Sequence, residues 1–164
     1  EDEENFIRVL GTSVIMTTKL FLPVMLEKNE GKIMIVSSVA AFAAPSSIQA
    51  LYGPIKTFMN RFSDSINVNY NHKGITSTAV CPGFTSTGFH EASGVQEEMD
   101  RVPNFMVFSS QRVAEEAVNA TLKGKSLCVP TKTYKFLVFL IKNIPETITR
   151  ALGAIFAPGR YNRN

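Results

Sequence analysis

The sequence predicts an α/β fold with parallel strands. Three observations carry this expectation. Segments with apolar residues at helical spacing alternate with short, continuous apolar runs. Glycine, proline and serine punctuate the junctions between them. The length, 164 residues with 45% hydrophobic residues, supports one core and not two. Helices and buried strands in this order argue for a layered architecture with right-handed crossovers.

Phe6, Leu10, Val14, Thr17, Phe21 and Met25 mark a first helix. The acidic stretch Glu1-Asp2-Glu3-Glu4 suits its positive N-terminal end, and Pro23 is expected to kink it or end it early. Gly31 closes the connection to a first strand over 32–37, an apolar run that suits burial on both faces. A second helix is expected over about 48–73, with Ile55, Phe58, Met59, Phe62 and Ile66 as its apolar stripe and Gly74 as a left-handed cap. A second strand over 75–80 is broken by Cys81-Pro82-Gly83. Residues 84–108 then read as a long loop of the length of a substrate lid. Ser110 is expected to cap a third helix with Val113, Ala114, Ala117, Val118 and Leu122 on its buried face, ended by Gly124. A third strand over 126–130 and helical segments over about 132–142 and 146–156 finish the chain.

Composition excludes several functions. Charged residues are 19% of the chain and the net charge of +3 is dispersed, which leaves no nucleic-acid footprint. Cys81 and Cys128 stand far apart beside only two histidines, so neither a metal-ligand set nor a disulfide framework is expected. That usage is compatible with a reducing compartment, and a cytoplasmic location is expected. No signal peptide and no run of about 18 uncharged apolar residues is visible, so a membrane-spanning segment is not expected.

The chemistry centres on Tyr52 and Lys56. Four apart near the start of a helix, they project from one face and can meet a common ligand. Such a pair is commonly a solvated surface pair, so context decides. A phenol with a pKa near 10 is a poor proton shuttle at neutral pH unless a nearby cation lowers it, typically by about one to three units. Lys56 can supply that cation. Ser38, at the end of the preceding strand, can hydrogen-bond an oxygen on which charge develops, or can simply terminate the strand.

Ile35-Val36-Ser37-Ser38-Val39-Ala40-Ala41, Tyr52-Gly53-Pro54-Ile55-Lys56 and Cys81-Pro82-Gly83-Phe84-Thr85-Ser86-Thr87 together resemble the ordered Ser, Tyr-x-x-x-Lys and Pro-Gly-x-x-x-Thr motifs of the short-chain dehydrogenase/reductase family. The resemblance extends along nearly the whole chain, including Phe21-Leu22-Pro23 and the helix that carries Val113-Ala114. It implies the C-terminal portion of a Rossmann-type doubly wound parallel sheet, a single partial domain over 1–164. It also implies an oxidoreductase that moves a hydride between NAD or NADP and an alcohol or carbonyl substrate. On matching positions, Tyr52 is the catalytic acid/base, Lys56 lowers its pKa and binds the nicotinamide ribose, and Ser38 donates to the substrate oxygen, with Ser37 as the fallback. Pro82, Gly83, Thr85 and Thr87 match positions that line the nicotinamide and its carboxamide or phosphate.

Three departures accompany the resemblance. The interval from Ser38 to Tyr52 is one residue longer than usual, which places an insertion around Pro45-Ser46-Ser47. Leu10 stands where the first helix usually carries an Asn that holds a relay water. No G-x-G-x-x-G turn occurs, so the adenosine half of the cofactor site is expected in a segment outside this sequence, and the chain reads as a fragment. The alternative function is a non-catalytic remnant that keeps the fold for subunit pairing, since the family commonly forms homo-oligomers through helices matching 3–27 and 48–73. An epimerase-type relative shares the Ser and Tyr-x-x-x-Lys motifs, but Pro-Gly-x-x-x-Thr argues against it. Phe84, Phe89, Met99, Phe105, Met106 and Phe108 make the lid region apolar, which admits a lipid-like or steroid-like substrate, although such residues more often just pack a loop onto the core. The apolar, basic segment over 132–160 can cover that pocket or attach the protein peripherally to anionic membrane.

Overall fold

The computed structural model describes residues 2–43, 50–87, 102–145 and 147–148. A helical rod runs from Asp2 to Lys28 as α1 (Asp2–Ile7), a π-helical turn (Arg8–Thr12) and α2 (Ser13–Lys28). Strand β1 (Gly31–Val36) leads through a 3-10 turn (Val39–Ala41) toward α3 (Tyr52–Tyr70), and β2 (Ile75–Val80) follows. Two short strands, β3 (Thr85–Ser86) and β4 (Phe108–Ser109), precede α4 (Ser110–Leu122), β5 (Leu127–Cys128) and α5 (Lys132–Asn143).

Strands β1, β2 and β5 form one parallel sheet in the order β1-β2-β5, with Gly31 opposite Ile75 and Val36 opposite Val80. Side chains alternate across a sheet, so each face needs its own cover. On one face Ile35, Ile75, Met59 and Ile66 form a core against which Val14, Leu22, Met25 and Leu26 of α2 pack. A second core joins Val80 and Cys128 to Ala117 and Ala120 of α4. Polar groups in the first layer are satisfied: Ser63 and Ser77 hydroxyls meet at 2.7 Å, and the Asn67 side chain accepts from Ser77 N–H and donates to Ser77 C=O, both at 2.8 Å.

Several boundaries differ from the sequence expectation. Pro23 lies inside α2 and does not end it, and the left-handed cap is Asn29 (φ 51°), while Gly31 opens β1. Lys28, which is 5 residues past Pro23, still belongs to the helix because proline forfeits only its own N–H bond. β1 is not buried on both faces: Met34 and Val36 are exposed, because β1 is the sheet's edge strand and no described element covers them. Ser109, not Ser110, caps α4 by accepting from Arg112 N–H, and Leu122 is exposed because the buried face turns through Ala117, Ala120 and Thr121. Gly74 (φ 74°) is a left-handed cap as expected; a Cβ there would overlap the Asn29 carbonyl. The Pro45-Ser46-Ser47 insertion, Phe89 and Met99 of the lid and most of the 146–156 segment lie outside the described residues.

The rod of α1 and α2 also departs from the expectation about membranes, since by length and composition its 27 residues suffice to cross one. Only Lys19 interrupts its apolar middle, and a single charge breaks an uncharged run without making the helix polar. Here its Val14, Leu22, Met25 and Leu26 pack on the sheet, while Val9, Met16, Leu20, Phe21 and Val24 stand exposed.

Glu116 fastens α5 to α4. Its carboxylate accepts from Thr131 N–H at 3.1 Å and from Lys135 at 3.2 Å, with Arg112 at 3.7 Å. This holds Thr131, whose φ of 69° and ψ of 147° lie in a region that normally belongs to glycine and costs about 1–3 kcal/mol. Burial acts to raise the Glu116 pKa, but the Thr131 N–H and the Lys135 and Arg112 charges outweigh it and hold the carboxyl below its ordinary value. An unfolded Glu takes up its proton near about pH 4.3. Folded Glu116 stays charged through that range, so its contribution to stability is present above it and disappears as pH falls through the lower, folded value. Glu116→Gln should therefore destabilise at neutral pH, with urea midpoints of variant and parent converging in acid. A constant gap at every pH would count against this assignment.

Candidate active site

The catalytic and cofactor-binding residues singled out from the sequence meet at one place, and the described lid residues Phe84, Phe105, Met106 and Phe108 do not line it. Ser38, Tyr52, Lys56, Pro82, Gly83, Thr85 and Thr87 line a single cavity of about 410 Å³ at the C-terminal end of β1 and β2. In parallel sheets the crevice beyond the strand ends is where ligands bind. Three elements deliver the side chains. The segment just after β1 presents Ser37 and Ser38, the first turns of α3 present Tyr52 and Lys56, and the turn after β2 presents Pro82 and Gly83.

Ser38 and Ser37 have different surroundings. Ser38 accepts from Ala40 N–H at 3.1 Å and hydrogen-bonds the Tyr52 phenol. Ser37 donates to the Lys56 backbone carbonyl at 2.9 Å, tying β1 to α3. The Lys56 ammonium donates to Val36 C=O at 3.0 Å and lies 5.5 Å from the centre of the Tyr52 ring. Burial raises the pKa of Tyr52, and the Ser38 hydrogen bond lowers it in part. Burial also pulls the Lys56 ammonium down, with Cys81 acting in the opposite direction. The buried Cys81 thiol, 3.3 Å from Asn60 Oδ1, is pushed up to about 11, so it is a packing residue and not a nucleophile.

Apart from Ser37 and Ser110, the remaining walls are apolar. Leu10, from the π-helical turn, and Val113, Ala114 and Val118 of α4 face the cavity. The sequence pattern placed the α4 residues in the core, because a residue that lines a pocket and one that packs a core have the same periodicity. Leu10 offers no polar atom with which to hold a relay water. Tyr134 lies in the apolar segment over 132–160 but is not singled out by the sequence. It is 1% exposed, its hydroxyl accepts from Phe84 N–H at 3.0 Å and donates to Met106 C=O at 2.9 Å, and a Cβ on Gly83 would overlap its ring.

Parallel strands covered by helices on both faces, with a polar cluster at the strand ends, define a Rossmann-type α/β protein. The chain belongs to the short-chain dehydrogenase family, whose model, described as short chain dehydrogenase, matches residues 1–98. Over 147 residues it is 35% identical to 17-beta-hydroxysteroid dehydrogenase type 3 of Mus musculus, an alignment covering 90% of this chain and 45% of that protein. Over 90 residues it is 33% identical to a very-long-chain 3-oxoacyl-CoA reductase of Anas platyrhynchos, covering 55% of this chain and 28% of that one. The chain thus spans less than half the length of these curated relatives. Among solved structures, a short-chain dehydrogenase from Sphingobium yanoikuyae in complex with NADPH superposes with a TM-score of 0.68 at 21% identity, over 85% of this chain and 56% of that one. A structure described in a study of 7beta-hydroxysteroid dehydrogenase stereoselectivity gives a TM-score of 0.71 at 18% identity, over 90% of this chain and 57% of that one. At these identities the structural likeness speaks for the fold.

Proposed function

We propose that this chain supplies the catalytic half of an NAD- or NADP-dependent oxidoreductase that interconverts an apolar alcohol and its carbonyl. The observation that carries this reading is the convergence of Ser38, Tyr52 and Lys56 with the Pro82–Thr87 turn on one cavity. The donor set suits the nicotinamide half of such a cofactor: Tyr52, Lys56, Thr85 and Thr87 line the same cavity, where the first two would hold the ribose and the threonines the carboxamide or phosphate. When bound, the cofactor supplies the hydride chemistry. The protein's own part is the proton and the orientation. Ser38 holds the substrate oxygen, and the Tyr52 phenol gives that oxygen a proton in reduction and takes it back in oxidation. The Lys56 charge favours the phenolate.

The adenosine half would bind to a part of the protein outside these 164 residues. In support, β1 is an edge strand whose Met34 and Val36 stand exposed, and with Val9 and Phe21 they line an apolar groove beside it. The apolar walls at Leu10, Val113, Ala114 and Val118 favour an apolar substrate. The names of the relatives, a hydroxysteroid dehydrogenase and a very-long-chain acyl reductase, point to the same class. The reading is tested by incubating the complete protein with reduced NAD or NADP and a panel of steroid-like and long-chain ketones, following the nicotinamide absorbance. Consumption that requires both partners is expected, and its absence across the panel would remove the proposal.

Exposed Leu20 of α2 and exposed Phe58 and Val68 of α3 support pairing with a second copy. Peripheral membrane attachment through the tail is part of the same proposal. α5 buries Tyr134 and Val138 and leaves Phe136 and Phe139 exposed, with Lys132 and Lys142 at its ends. The complete protein should co-sediment with vesicles in proportion to their anionic lipid, and Phe136→Ser with Phe139→Ser should weaken this about tenfold or more, as expected when two buried aromatics are lost. Binding unaffected by the double substitution would assign attachment elsewhere.

A further inference from the structure

We propose that Tyr134, on the tail helix, is a positioning residue that sets the cofactor-facing wall of the site; the inference rests on the oxidoreductase reading above. Its hydroxyl uses its one proton on Met106 C=O and accepts Phe84 N–H, at 2.9 and 3.0 Å. Those two groups belong to chain segments far apart in sequence, and the one that holds Phe84 continues directly into Thr85 and Thr87 of the cavity. The neighbouring backbone is joined at the same point: Phe108 N–H donates to Phe84 C=O at 3.1 Å, and β3 pairs with β4 through Thr85 and Phe108. The Tyr134 ring meets Phe108 edge-on at 5.9 Å and fills the space that only a glycine at position 83 leaves open.

Tyr134 itself is held from behind. It packs in a core with Cys81, Val129 and Val138, and the first turn of α5 is fixed to α4 by Glu116 through Thr131 and Lys135. Cys81 precedes Pro82 in the chain, so one cluster buttresses both the start of the turn and the residue that clamps it. Burial raises the Tyr134 pKa, which keeps the phenol protonated and able to donate. Tyr134 contacts the turn and does not line the cavity itself. Its effect on a ligand must therefore pass through Pro82–Thr87.

The test is Tyr134→Phe in the complete protein, which keeps the ring over Gly83 and removes only the hydroxyl bridge. Affinity for the reduced nicotinamide cofactor, read by fluorescence titration, should fall about tenfold, the worth of one to two net hydrogen bonds. At saturating cofactor kcat should change less than about threefold, so the loss appears in KM. Thr133→Ala, at an exposed position of the same helix, should leave cofactor affinity unchanged. If Tyr134→Phe lowers the melting temperature but binds cofactor as the parent does, Tyr134 is a packing residue only and the inference is overturned while the oxidoreductase reading stands. If the parent protein binds neither NADH nor NADPH, the oxidoreductase reading fails and this inference with it.

Discussion

Tyr52→Phe should reduce hydride transfer in the complete protein by on the order of 10²–10⁴-fold, the range for loss of a positioned general acid/base, while the protein still binds cofactor. The substitution removes one oxygen from the cavity wall and leaves the ring, so packing is preserved. Ser38 loses one hydrogen-bond partner but keeps the Ala40 N–H. The stability cost should be about 1 kcal/mol. A kinetic loss far larger than that small structural cost is what distinguishes a proton donor from a packing residue. Turnover within tenfold of the parent would place the acid/base elsewhere.

Lys56→Met tests the second role. Burial raises the phenol's pKa, so oxidation, which needs the phenolate, should speed up as pH rises toward the folded value. The Lys56 ammonium, 5.5 Å from the ring, is the cation that the cavity places beside Tyr52. An ammonium brought within about 4–6 Å of the phenol oxygen lowers an acidic group by about one to three units. Removing it should move the alkaline limb of the oxidation profile upward and cut the rate at neutral pH by about 10- to 1,000-fold. Cofactor affinity should fall as well, because the same ammonium is assigned to the ribose. A profile that keeps its alkaline limb in place would show that Lys56 only anchors α3 to β1 through Val36.

The order of elements was legible because the burial of a sheet between helices imposes different apolar periods on each. Ile75–Val80 and Lys132–Asn143 were found nearly to the residue. The rest depended on neighbours that periodicity does not encode. β1 reads as a strand buried on both faces, since Ile33 to Val36 are all apolar, yet Met34 and Val36 stand exposed at the edge. Val113 and Val118 read as core and turn out to face the cavity. Pro23 is a breaker by composition but sits within α2, because packing on the sheet outweighs one lost hydrogen bond.

The residues of the candidate site were legible in the sequence, since a Ser at a strand end, Tyr-x-x-x-Lys at a helix start and Pro-Gly after a strand are local signals with a stated chemistry. Their convergence is a property of the parallel sheet, which brings the C-terminal ends of β1 and β2 together. The distinction between Ser37 and Ser38 is tertiary too: adjacent residues on a strand point to opposite sides, and only the fold shows that Ser37 ties to the Lys56 carbonyl while Ser38 reaches the Tyr52 phenol. Tyr134 lies furthest from sequence reasoning. It stands 50 residues from Phe84, and nothing local marks it off from the other aromatics of an apolar helix. The sequence by itself determined the layer order, the family and the side chains of the candidate site, because these rest on local spacing. Which of two serines faces the phenol, which apolar residues form walls, and what clamps the turn were decided only by the tertiary structure, because each depends on contacts between segments that folding alone brings together.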